Sequence, residues 1–225
     1  MKKLKAFVKS WSIPEIILLL LGVLSISFTS WYLKSSATST AYSLISISKA
    51  LCSAKGSLIG PILNVGLVIT YSITAFNNGY YGEIISQSIS LIFAILTIIS
   101  WFKHMGKEQT VEINQLSKTE TIILFCSTLI IFPAVFFGLR ELNTQQLTIS
   151  SINMLLNLYA MYLRMRRSSM QFVLYIFVNI VTVILWVIAG QKDSSAYIMI
   201  ISPTINGIIC TYGLYKWTRK KDLHK

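Results

Sequence analysis

The chain has 225 residues, 54% hydrophobic and 12% charged, with a mean hydropathy of +0.64 and a formal net charge of +12. That balance, with repeated apolar runs, excludes a water-soluble domain and points to an all-α polytopic membrane protein embedded in a lipid bilayer. The basic residues fall between apolar runs, so the charge reads as membrane topology and no nucleic-acid partner is expected.

Residues 1–38 form a basic tail and a first span. Lys2, Lys3, Lys5 and Lys9 precede an apolar run over 13–33. A basic start before an apolar core imitates a signal peptide, with Ser35-Ser36-Ala37 as a weak cleavage-like site. The run is long enough to cross a bilayer, so it is read as a retained extra helix. Seven further segments follow at 39–54, 57–76, 82–102, 120–139, 147–163, 170–190 and 194–217, giving about eight transmembrane helices. Segment 39–54 is serine-rich and interrupted by Lys49, which is expected to snorkel to the inner interface.

With the N-terminus inside, one side collects Lys2, Lys3, Lys5, Lys9, Lys49, Lys55, Lys103, Lys107, Lys118, Arg164, Arg166, Arg167, Lys216, Arg219, Lys220, Lys221 and Lys225. Only Lys34, Arg140 and Lys192 fall on the other. Both termini are therefore expected in the cytoplasm, the protein lying in the cell's cytoplasmic membrane. The loop His104 to Lys118 is polar and joins two halves.

An internal repeat is faintly legible. Asn64 stands seven residues before Tyr71, and Asn179 seven before Trp186. Each pair lies in the middle segment of a triplet, 39–102 or 147–217, and residues 103–146 between them supply a loop and one linker span. A single intervening span makes both triplets enter the membrane from the same side, which is a parallel repeat. Residues 218–225 form a basic cytoplasmic tail.

Between Arg164 and Gly190, three arginines precede a span carrying Phe172, Tyr175, Asn179, Thr182 and Trp186 on one helical stripe. An amide in hydrocarbon must find a partner. The stripe suits a flat ligand with polar edges, and equally a polar contact between helices. Asn153 and Asn157 share a stripe with Met161 and are expected to face inward. Gln87, flanked by Ser86, Ser88 and Ser90, fits either a ligand or a packing role. Asn206 follows Pro203, where the helical ladder is loosened, and marks a kink or a contact.

Gly79-Tyr80-Tyr81-Gly82-Glu83 reads as an outer turn. Cys52, Cys126 and Cys210 lie apart in apolar segments and read as small hydrophobes. No nucleophile, carboxylate pair, metal-ligand cluster or dinucleotide motif appears, so neither an enzyme nor a cofactor is expected. Without an Asp or Glu deep in a span, no ion coupling is expected either, Glu83 being the one candidate.

These residues resemble the PnuC-type nicotinamide riboside transporters of bacteria over about residues 39–219. Lys55, Gly60, the Tyr71 region, Gly79 to Glu83 and Gln87 look like that family's first triplet. Ala160-Met161-Tyr162-Leu163, Arg166-Arg167 and Asn179 to Gly190 look like its second, and Tyr212 to Trp217 like its ending. The resemblance implies a three-plus-one-plus-three core, similar to the SWEET sugar transporters. It also implies facilitated diffusion of a vitamin or nucleoside, with a cytosolic kinase trapping the substrate by phosphorylation. Where the family carries two tryptophans ahead of Asn179, this chain has Phe172 and Tyr175, a smaller platform bearing a phenol. Nicotinamide riboside is the family default. Another nucleoside or deoxynucleoside, thiamine or riboflavin are the alternatives within the family, and a non-transporting membrane partner or binding subunit the alternative outside it. Self-association as a homo-oligomer stays open.

Overall fold

The computed structural model describes residues 11–32, 34, 37–77, 81–106, 110–144, 146–191 and 200–222, with the side chains of Tyr71 and Glu83 among those left outside. Among the described residues lie eight α-helices: α1 Ile13–Tyr32, α2 Ala37–Ala54, α3 Ile59–Asn77, α4 Tyr81–Lys103, α5 Lys118–Glu141, α6 Leu147–Met165, α7 Met170–Gly190 and α8 Ile201–Asp222. Seven match the expected spans within a few residues. Of the eighth, residues 194–199 lie outside the described residues; α8 is described from Ile201, with Pro203 in its first turn where a missing N–H costs nothing, and the basic residues to Asp222 continue the helix past the expected end at 217. Gly79 and Tyr80 of the expected outer turn lie outside the described residues, and Gly82 and Glu83 fall in the first turn of α4.

Six helices close a ring. α2 packs on α3, α3 on α4, α4 on α6, α6 on α7, α7 on α8 and α8 back on α2. α1 and α5 stand outside it, α1 against α2 and α8, α5 against α6. Their outer faces carry an apolar belt, with Phe125 at 81% and Leu129 at 79% exposed and no residue of α5 buried. In water such a surface would be unstable; in a bilayer it meets acyl chains.

On length and composition alone, α1, α5 and Met170–Ile188 of α7 could cross a membrane, while Ile59–Thr70 and Gln87–Lys103 are shorter apolar stretches. The ring helices differ from α1 and α5 in their surroundings. One face of each is turned from lipid and can carry serine, asparagine and charge.

The α2–α3 and α6–α7 turns are built alike. Gly56 N–H donates to Ser53 O at 2.9 Å and Ser57 N–H to Cys52 O at 2.9 Å; Arg167 N–H donates to Arg164 O at 3.0 Å and Ser168 N–H to Leu163 O at 2.9 Å. These paired bonds are a Schellman cap, which needs a left-handed residue after the helix. Gly56 supplies it with φ 75°, and Arg167 adopts it with φ 58°. Ser57 and Ser168 then accept at Oγ from Ile59 N–H (3.4 Å) and Met170 N–H (3.3 Å) to start the next helices. In this register Asn64 corresponds to Tyr175. The pairing of Asn64 with Asn179 suggested by spacing is off by about one helical turn.

The loop between α4 and α5 joins both turns, with Val111 N–H donating to Gly56 O (2.9 Å) and Asn114 N–H to Arg167 O (3.0 Å). Beneath it lies the core. Trp101 and Trp217 are buried with ring centroids 5.9 Å apart, and Phe172 stands edge-on to Trp217 at 5.2 Å. Trp101 Nε1 donates to Arg164 O and Trp217 Nε1 to Ala54 O, both at 2.9 Å, so each tryptophan ties the end of one triplet to the other.

Gly56→Ala keeps the backbone but forces a Cβ into the left-handed region. A loss of about 1–2 kcal/mol is expected, read as a lower unfolding temperature in detergent.

Candidate functional site

The ring encloses a cavity of about 140 Å³, close to the ~150 Å³ known to admit a benzene ring. Its apolar wall is Leu67, Val68, Phe93, Ala94 and Met161. Its uncharged polar groups are Tyr42, Asn64, Gln87, Ser90, Thr97, Asn157 and Tyr175, drawn from α2, α3, α4, α6 and α7. A small chamber with an apolar wall and convergent donors and acceptors is a usual form of a small-molecule site.

Four expected residues meet here: Asn64, Gln87, Asn157 and Tyr175. The others lie elsewhere. Phe172 is 3% exposed and wedged against α8, where a Cβ built on Gly213 would come within 2.6 Å of its ring. Asn179 donates from Nδ2 to Tyr175 O at 2.6 Å and lies against Gly207 of α8. Asn153 ties α6 to α7 through Thr182 Oγ1 at 3.3 Å, and Asn206 ties α8 to α2 through Ser46 Oγ at 3.1 Å. Trp186 is half-buried further along α7 and does not line the cavity. Tyr71 lies on α3 with its side chain outside the described residues.

The stripe on α7 was drawn too wide. At about 100° per residue, Phe172 and Tyr175 differ by roughly 60° around the axis. That is enough to turn one into the α8 seam and leave the other at the cavity.

Spacing alone missed both charged cavity residues. Lys49, expected to snorkel, lines the cavity, and so does Arg164, expected as a cytoplasmic anchor but only 6% exposed. The signal was present, since Asn157, Met161 and Arg164 recur at four and three residues on one face of α6. Arg164 Nη2 donates to Ser53 Oγ at 2.6 Å, and its guanidinium lies 5.9 Å from the Trp101 ring centroid.

A second charged cluster lies outside the cavity. Glu15, 1% exposed in the first turn of α1, pairs with Lys216 of α8 and, at 3.8 Å, with Lys55 after α2. It also accepts from Ser12 N–H at 2.8 Å and from the Tyr212 hydroxyl at 3.4 Å. Burial lowers the Lys55 ammonium below its ordinary pKa, and Glu15 opposes that shift. Glu15 stands in the first turn of α1, at the end of the span close to the N-terminal tail. On the linker side, Glu120 accepts from Arg166 Nε at 2.7 Å and from the Tyr162 hydroxyl at 2.8 Å, fixing α5 to α6. Among the described residues, no His, Cys, Asp and Glu group is arranged to hold a metal ion.

A ring of helices with a lipid-facing exterior and a polar central chamber is the build of a multi-pass membrane carrier. The chain belongs to the nicotinamide mononucleotide transporter family, whose model matches residues 36–219. It is 23% identical over 180 residues to the nicotinamide riboside transporter PnuC of Neisseria mucosa, covering 76% of this chain and 67% of that protein. It shares its fold with the crystal structure of the vitamin B3 transporter PnuC, at a TM-score of 0.82 and 19% identity, covering 96% of this chain and 95% of the other. The family is one of transporters, not of enzymes.

Proposed function

We propose that the protein carries a nucleoside-like metabolite across the cytoplasmic membrane by facilitated diffusion. Nicotinamide riboside is the first candidate because the similar proteins are named for it. The observation that carries this reading is the cavity itself, enclosed by the six-helix ring and presenting amides and hydroxyls from five helices. The matched turns and the exchanged Trp101 and Trp217 contacts support two three-helix repeats, 39–102 and 147–217, around the linker α5. Trapping of the product by a cytosolic kinase belongs to the same proposal.

The orientation has both termini inside. In support, Glu15 brings the start of α1, the α2–α3 turn and the end of α8 to one end of the bundle. The basic clusters gather at that end, as the positive-inside rule requires. A cytoplasm-active reporter fused after Lys225 should be active, and one fused after Asn78 should be active only in its exterior-sensing form. The reverse pattern would overturn the orientation.

Transport is expected to be uncoupled from ion gradients, because among the described residues no carboxylate lines the cavity. Counterflow in liposomes with and without pH and sodium gradients tests this; accumulation that follows either gradient contradicts it. Asn157→Ala removes two donors and an acceptor from the chamber and should weaken cargo affinity about five- to hundredfold. Tyr175→Phe keeps the ring, so it separates loss of the hydroxyl from loss of stacking. Equilibrium binding on monodisperse protein checks both.

A further inference from the structure

The cavity is electropositive in a way that a neutral chamber does not require. Lys49 from α2 and Arg164 from α6 both line it, near enough for their charges to act on one another. Among the described residues no carboxylate lines it. Glu15 and Glu120 are engaged elsewhere, Glu15 with Lys55 and Lys216, Glu120 with Arg166.

Arg164 is more than nine-tenths buried, one edge of its guanidinium is bound to Ser53 Oγ, and its Nε has no hydrogen-bond partner. A buried guanidinium beside the half-buried Lys49 ammonium is costly unless a group of opposite charge joins them. The fork of a guanidinium beside a lysine ammonium matches an oxyanion. The Tyr175 hydroxyl and the Asn157 amide add donors to the same chamber.

We propose that the Lys49 and Arg164 end of the cavity is an anion subsite, which takes a carboxylate or phosphate borne by the cargo and disfavours a permanently cationic ring at that place. The subsite rests on the carrier reading above and narrows its substrate class. Nicotinamide riboside and thiamine both carry a fixed positive charge on a heterocycle. Phe172 is packed against Trp217 and Gly213 and takes no part in the chamber, whose rings are Tyr42, Phe93 and Tyr175. A cargo whose charge at this end is negative fits the observed groups better.

The test is equilibrium binding to the purified full chain with a matched set of probes. Nicotinamide riboside carries the cationic ring alone, nicotinic acid riboside has a carboxylate in place of the ring carboxamide, and nicotinamide mononucleotide adds a 5′-phosphate; inorganic phosphate is the fourth probe. At least one of the two anionic ligands should bind tenfold or more tightly than nicotinamide riboside, and which one does so separates carboxylate from phosphate. Lys49→Gln should weaken that ligand at least tenfold more than it weakens nicotinamide riboside, while Arg164→Lys, which keeps the charge, should retain most of the affinity. If Lys49→Gln does not fold, the same question is answered on the unaltered chain, where rising chloride should weaken the anionic ligand and spare nicotinamide riboside. Equal affinity for all three ribosides, unmoved by Lys49→Gln or by chloride, would overturn the anion subsite and leave the carrier reading standing. Binding of inorganic phosphate without any riboside would uphold the subsite and remove the nucleoside reading. Binding of none of the four would overturn both.

Discussion

Glu15→Gln is expected to destabilise the protein by about 3 kcal/mol, the lower end of the range for breaking a buried ion pair. The substitution keeps the size and removes the charge. It leaves Lys55, whose side chain is 8% exposed, and Lys216, at 35%, facing each other without their shared carboxylate. Lys216 is open enough for solvent to screen it, which is why the upper end of the range is not expected. The loss should appear as a lower unfolding temperature in detergent. Adding Lys216→Met to Glu15→Gln should recover part of it, because one orphaned cation is then gone. An unchanged unfolding temperature in Glu15→Gln would mean that α1 is held by its apolar contacts alone.

Gly60→Ala is the second large effect. A Cβ there would stand 2.4 Å from Ser53 Oγ, 2.8 Å from Ser53 N and 3.1 Å from Ser53 Cα. Because two of these atoms are backbone, no rotamer change relieves the contact, and the first turn of α3 must move away from the last turn of α2. Overpacking of this kind costs about 1–3 kcal/mol. The consequence reaches the cavity, since Ser53 Oγ both accepts from Arg164 Nη2 and donates to Lys49 O at 2.7 Å. Gly60→Ala should therefore lower both thermal stability and cargo affinity. Gly66→Ala on the same helix is the control. Nothing lies within 4 Å of its Cβ, so it should be neutral or stabilising by up to about 1 kcal/mol. Equal behaviour of the two variants would contradict the close approach of α3 to α2.

Helix number, helix order and the separation of basic from apolar stretches were legible because each depends on local composition and on spans of bilayer length. The cavity was legible in part. Asn64, Gln87, Asn157 and Tyr175 are polar groups in apolar helices, and such groups must face protein. Asn153, Asn179 and Asn206 satisfy the same demand by different means, bonding to Thr182, to the Tyr175 carbonyl and to Ser46. Nothing local separates the two outcomes, because they depend on which neighbour each helix face meets. The role of Arg164 was hidden by its neighbours. Within Arg164, Arg166 and Arg167 one residue lines the cavity, one pairs with Glu120, and one serves as a left-handed cap, a division made by the end of α6 and the turn beyond it.

A path through the six-helix ring should pass a nucleoside-like cargo. Flux into liposomes containing only this protein tests it most directly, using labelled nicotinamide riboside alongside nicotinic acid riboside, nicotinamide mononucleotide and a panel of nucleosides, with riboflavin and thiamine. Saturable uptake of at least one of these, running down its gradient in either direction and reduced about five- to hundredfold in apparent affinity by Asn157→Ala, is the result the account predicts. Flux of none of them through folded, monodisperse protein, or uptake of one that Asn157→Ala, Tyr175→Phe and Lys49→Gln all leave unchanged, would contradict it.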